Sequence, residues 1–134
     1  MRVFLDANVL FSMALGGSVF HAILEVAKRG RLHLLTSALC YLEARRNIEL
    51  KAPEKRPALE AILAWVRLVP EAKPEPWMED LLPEKDVPVL AAAVAAQATH
   101  LLTGDLRHFA PLMVREDLPL RVLTPGDFIR RVRP

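Results

Sequence analysis

The chain has 134 residues, 52% hydrophobic and 25% charged, which supplies material for a real core and excludes a disordered or low-complexity protein. One domain spanning residues 1–134 is expected, and the single Cys40 excludes both an internal disulfide framework and a cysteine metal cluster. The longest apolar run, Val89 to Ala96, is far too short to cross a bilayer, and the chain opens directly on a strand-like segment. A cytoplasmic protein without a membrane partner is therefore the expectation.

In chain order, residues 2–5 read as a first strand that runs straight into Asp6-Ala7-Asn8, with Asn8 placed on a continuing extended segment. Residues 18–29 read as a helix, with Ser18 as N-cap and Gly30 as its stop. Leu32 to Leu35 reads as a second strand. Ser37 then caps a helix to about Lys51, which Pro53 ends. A helix over roughly 55–65 leads into a third strand, Val66 to Val69. The stretch 70–85 holds Pro70, Pro74, Pro76 and Pro83 and reads as irregular, with at most one helical turn near Trp77. Asp86 opens a helix through about Ala98, apolar nearly all round and rich in Ala, so it should be buried. His100 to Leu102 reads as strand four, residues 106–112 as a short helix and Leu120 to Leu123 as strand five. Thr124-Pro125 starts a last helix, with Thr as N-cap and Pro at the first position. Strands alternating with helices imply a parallel, three-layer α/β/α arrangement.

The informative residues are acids at the ends of buried elements. An ionised Asp beside a core is costly unless it is paired, hydrogen-bonded or coordinating a metal. Asp6 ends the first strand and Asp105 follows the fourth after a Thr103-Gly104 turn. In parallel sheets ligands bind at the carboxyl ends of strands, near the point where strand order reverses. Asn8 could orient Asp6 or simply form an Asx-turn, and Thr103 could hydrogen-bond at the site. Glu43 borders the apolar stripe of its helix, with Arg46 three residues on as an ordinary salt-bridge partner. Asp86 is a natural N-cap that could also hold a cation. His108 could touch a substrate or do nothing. Trp65 and Trp77 read as packing residues, and Cys40 as a small buried hydrophobe. With four of the 16 acids gathered in one pocket, 18 basic residues would face the other 12 across the rest of the surface, a balance able to attract polyanions.

These segments resemble the PIN-domain family of metal-dependent ribonucleases. The likeness lies in Val3-Phe4-Leu5-Asp6-Ala7-Asn8-Val9-Leu10, in Glu43 on a helix after Thr36-Ser37, in Lys85-Asp86-Val87-Pro88-Val89-Leu90, and in Leu102-Thr103-Gly104-Asp105-Leu106-Arg107-His108-Phe109. The Lys-Asp-x-Pro-Val-Leu segment is similar to a bacterial and archaeal branch described as toxin components of toxin–antitoxin pairs, related to VapC-type toxins. The resemblance implies a five-stranded sheet ordered 3-2-1-4-5. It makes Asp6, Glu43, Asp86 and Asp105 the acidic quartet, with Asp6, Asp86 and Asp105 as metal ligands and Asn8 and Thr103 as polar companions. It also implies an RNA substrate, an antitoxin partner and a homodimer.

Clustered carboxylates cannot all stay ionised without a cation, and an all-oxygen donor set suits Mg²⁺ or Mn²⁺. Such a site would cleave phosphodiesters by activating water. Arg45, Arg46, Lys85 and Arg107 are candidate phosphate contacts. Two other readings compete. A haloacid-dehalogenase-type phosphotransferase would use Asp6 as nucleophile, but it usually carries a second Asp where Asn8 stands. A non-catalytic nucleic-acid-binding module would keep the fold without turnover.

Only two Asn, one Gln and one Cys occur in the chain, and 11 Pro are scattered through it. Scarce thermolabile side chains and proline-stiffened loops are thermophile features. The melting temperature should exceed roughly 80 °C, above the usual mesophile range; calorimetry with metal present checks this, and cooperative unfolding in the mesophile range would exclude a thermophilic source.

Overall fold

The computed structural model describes residues 1–132. The elements are β1 (Arg2–Leu5), α1 (Ala7–Leu15), α2 (Ser18–Lys28), β2 (His33–Ser37), α3 (Ala38–Lys51), α4 (Arg56–Leu63), β3 (Val66–Val69), α5 (Val87–Ala95), β4 (His100–Leu102), α6 (Leu106–Met113), β5 (Arg121–Leu123) and α7 (Pro125–Val132). Short 3₁₀ turns occupy Pro53–Lys55 and Pro76–Met78, the latter being the single turn expected in the 70–85 stretch.

The five strands form one parallel sheet in the order β3-β2-β1-β4-β5. From β1 the chain steps outward to β2 and β3, then returns to lay β4 on the other side of β1. Phe4 pairs with Leu35 on one side and Leu101 on the other, so β1 is the central strand. Helices cover both faces, which is why the strands read as unbroken apolar runs. Val3, Phe4, Leu5, Leu35, Leu101 and Leu102 are fully buried. The order reverses between β1 and β4, and a crevice opens there beyond the carboxyl ends.

One element departs from the sequence reading. The segment after Asp6 is not extended but a helix, α1. Asp6 has extended backbone and its carboxylate accepts from Ala7 N, so strand and helix are joined by a single capping residue. Ala7, Val9, Leu10, Met13 and Ala14 are buried, which fits a helix apolar on most sides. Gly16 and Gly17, at φ 93° and 133°, then end it in conformations that side chains resist. The same turn makes Gly17, not Ser18, the N-cap of α2, with no side-chain cap. Elsewhere the corrections are shifts of boundary. β2 runs to Ser37, whose hydroxyl accepts from Cys40 N at the start of α3, and α5 stops at Ala95, ahead of Gln97 with its positive φ of 59°.

The α5 helix is the tightest part of the core. Ala91, Ala92 and Ala93 are at most 1% exposed, so nothing larger than a methyl fits there. Ala92→Leu should therefore destabilise the protein by about 1–3 kcal/mol through overpacking, read as a lowered denaturant midpoint in equilibrium unfolding.

Candidate metal centre and active site

Asp6 is only 6% exposed, and its two oxygens are surrounded by donors. Ala7 N (2.8 Å) and the Cys40 thiol (3.8 Å) donate to Oδ1. The Thr103 hydroxyl (2.8 Å) and Asn8 Nδ2 (3.2 Å) donate to Oδ2. Burial pushes the Asp6 carboxyl above its ordinary value; the Thr103 and Ala7 hydrogen bonds act against this, and the neighbouring charges of Glu43 and Asp86 add to it. The Cys40 thiol is pushed up to about 12, mainly by burial and then by Asp6, so it stays a neutral donor.

The Thr103 hydroxyl, fully buried at the end of β4, is a junction. It donates to Asp6, accepts from Asn8 Nδ2 (3.3 Å) and accepts from Asp105 N (3.1 Å). Asn8 Oδ1 in turn accepts from Gly104 N (2.7 Å). A Cβ on Gly104 would stand 3.3 Å from that oxygen, a tight approach that favours glycine in the turn. Adjacent parallel strands thus end in one hydrogen-bonded network carrying both Asp6 and Asp105.

The quartet reaches a cavity of about 550 Å³ from four elements. Asp6 enters from the β1–α1 junction, Glu43 from α3, Asp86 from the start of α5 and Asp105 from the start of α6. Asn8, Arg46, Asn47 and Lys85 also line it, and Leu39 and Leu42 form an apolar rim. Glu43 is exposed and has no ion pair among the described residues, so the alternative pairing with Arg46 is not made. Thr103 sits behind the cavity wall. Two candidate phosphate contacts fall outside the cavity lining: Arg45 pairs with Glu49 at 3.1 Å, and Arg107 is exposed on α6.

Asp86 precedes α5 but does not cap it with its side chain. Instead the carboxylate turns toward α6, where His108 Nδ1 lies 3.1 Å from Asp86 Oδ2 and 2.8 Å from Asp105 Oδ2. The ring N–H serves Asp105, leaving buried Asp86 Oδ2 without a hydrogen bond. A buried carboxylate oxygen that accepts no hydrogen bond and stands beside two further ligand groups fits a cation site. Asp86, Asp105 and His108 alone could hold one ion. The carboxylate-rich set fits Mg²⁺ or Mn²⁺, and the imidazole is the kind of donor Mn²⁺ accepts more readily than Mg²⁺. The spacing of His108 three residues after the capping Asp105 was its visible signal: the residue at that position points back at the cap.

Sheet order, switch point and carboxylate cavity define an α/β protein with an acidic, cation-competent centre. A sequence model of the PIN domain matches residues 2–107, and the chain belongs to the PIN-domain family. In fold it is similar to a chain in the crystal structure of VapBC2 from Rickettsia felis bound to a DNA fragment from their promoter. The two share 17% identity at a TM-score of 0.67, over 91% of this chain and 97% of the other. Comparison with curated proteins finds no match.

Thr103→Val keeps the side-chain shape but strips a donor from Asp6 and an acceptor from Asp105 N. It should cost about 1–3 kcal/mol of stability, seen as a lower urea midpoint at unchanged slope.

Proposed function

We propose that this chain is a Mg²⁺- or Mn²⁺-dependent endoribonuclease and the toxin of a toxin–antitoxin pair. The observation carrying the proposal is the convergence of four carboxylates from four elements on one cavity, one with a buried oxygen that accepts no hydrogen bond. A divalent cation bound by Asp6, Asp86 and Asp105 would supply Lewis acidity and neutralise charge developing at the phosphorus centre. The chain's own residues do the rest. The network from Thr103 and Asn8 holds the Asp6 oxygens in place. Glu43, exposed at the cavity mouth, aligns the attacking water and takes its proton. Arg46 and Lys85 draw the scissile phosphate down into the acidic hole, against the repulsion of the quartet. Water adds at phosphorus, the bond to the leaving oxygen breaks, and that oxygen departs with a proton.

An unpaired single strand reaches such a recessed site more easily than a duplex. The solved VapBC2 complex supports an antitoxin as partner, and exposed Leu39 and Leu42 beside the cavity offer an apolar seat for a protein surface. A homodimer is part of the same reading. The phosphotransferase alternative loses support, because the Asn8 amide is tied to Asp6, Thr103 and Gly104 and a carboxamide cannot serve as the general acid or base that reaction needs.

Purified protein should cleave single-stranded RNA with Mn²⁺ or Mg²⁺ and stop in excess EDTA. Asp6→Asn or Asp105→Asn should lose most of the activity while circular dichroism shows the fold retained. Undiminished cleavage in EDTA, or full activity of Asp6→Asn, would overturn the mechanism; metal binding without cleavage would favour a non-catalytic binding module.

A further inference from the structure

The opposite edge of the sheet has the reverse electrostatics. A second cavity, about 420 Å³, opens at the amino ends of β1, β2 and β3. Arg2, His33, Trp65 and Arg67 line it, together with Gly30 and apolar residues, and it contains no acid. Arg2 is held in place by two hydrogen bonds from its guanidinium to the Ala96 carbonyl, at 3.0 and 2.8 Å. Arg67 is exposed on the edge strand, and Arg29 and Arg31 occupy the loop before β2. Among the described residues none of these four arginines pairs with a carboxylate. Further along the same edge, His100 is depressed below its usual value, first by burial and then by the positive charges of the chain's amino group, Arg121 and Arg131.

Trp65 is 47% exposed instead of packed in the core. Lys28 Nζ, paired with Glu25 at 3.8 Å, stands 5.6 Å from its ring centroid over one face of the indole. An exposed indole among unpaired arginines combines the two features that hold single-stranded nucleic acid, a surface for stacking a base and cations for the phosphates on either side. A purely anionic ligand would need the arginines but not the indole, and an apolar ligand would leave the guanidinium groups unsatisfied.

We propose that the Arg2–His33–Trp65–Arg67 cavity is a second nucleic-acid site, which stacks one base of a single strand on Trp65 and grips the adjoining phosphates with Arg67, Arg2 and His33. The choice of RNA as the strand rests on the proposed ribonuclease reading. Strands of three to five residues separate the two cavities, a span on the order of 13 Å at about 3.3 Å per residue. A strand anchored here passes over the molecule to reach the acidic cavity, and the attraction the quartet cannot provide comes from this edge.

The test uses the full chain in EDTA, so binding is read without cleavage and independently of the metal. In a Trp77→Phe background Trp65 is the sole indole, and a single-stranded oligouridylate should quench its fluorescence. By anisotropy of a labelled oligonucleotide, Trp65→Ala should weaken binding about tenfold. Arg67→Ala should make the slope of log affinity against log salt shallower by about 0.7. Both positions are exposed, and melting curves check that the variants fold. Unquenched Trp65 fluorescence, unchanged affinity in Trp65→Ala, or inorganic polyphosphate binding as tightly as RNA would each overturn the proposal. Cleavage lost with this binding intact would count against the ribonuclease reading alone.

Discussion

The carboxylate of Asp6 has almost no water around it, and most of the molecule's distinctive local structure answers that fact. Each oxygen must be met by donors, and the chain draws them from three places: the first turn of α1 (Ala7 N and the Asn8 amide), the start of α3, and the end of β4. This ties the abrupt β1–α1 turn to the Thr103 hydroxyl and makes the pairing of β1 with β4 a chemical as well as a topological requirement. A buried charge left short of partners would cost several kcal/mol. The same residue that ends the central strand thus fixes where its neighbour must end.

Donors alone lower the cost of burying one acid; they do not explain why three more are brought beside it. The quartet raises the local negative potential, and Asp86 and Glu43 push Asp6 further in the direction in which burial already moves it. Such an arrangement is unfavourable for folding unless a cation joins it, which is the pattern of a site kept for chemistry at the expense of stability. His108 sits between two of the acids with a single ring N–H and two carboxylate oxygens to satisfy. One oxygen is left over, and that surplus acceptor is what distinguishes a cation site from a self-sufficient polar network.

Charge is sorted along the strand direction. Acids gather beyond the carboxyl ends, where Glu71, just past β3, accepts from Leu39 N at 3.0 Å on the rim of the quartet's cavity. Unpaired arginines gather at the amino ends. The modest net charge of +2 conceals this division. A polyanion approaching the acidic cavity meets only Arg46 and Lys85 among the basic residues that line it.

The order of strands and helices was legible in the sequence because periodicity and punctuation act over a few residues: apolar runs, the Ser37 cap, the Pro53 stop and the Thr124-Pro125 start are local signals. Asp6 and Asp105 stood out because acids at the ends of apolar runs need a reason to be there; Glu43 lies mid-helix and Asp86 reads as a cap, and only the family resemblance joined the four. Other features were decided only in three dimensions. The α1 helix was hidden because an apolar run following an Asp reads equally as a strand or a buried helix, and only packing against neighbouring helices settles it. Asp86 looked like a helix cap, since its sequence neighbours offer that role; its carboxylate instead faces His108 at 3.1 Å, on a helix that begins twenty residues later. Trp65 reads as a packing residue, yet it falls in the turn just before the edge strand β3 and is half-exposed. Sequence determines what each segment can bury, whereas which polar groups meet depends on which strands lie side by side.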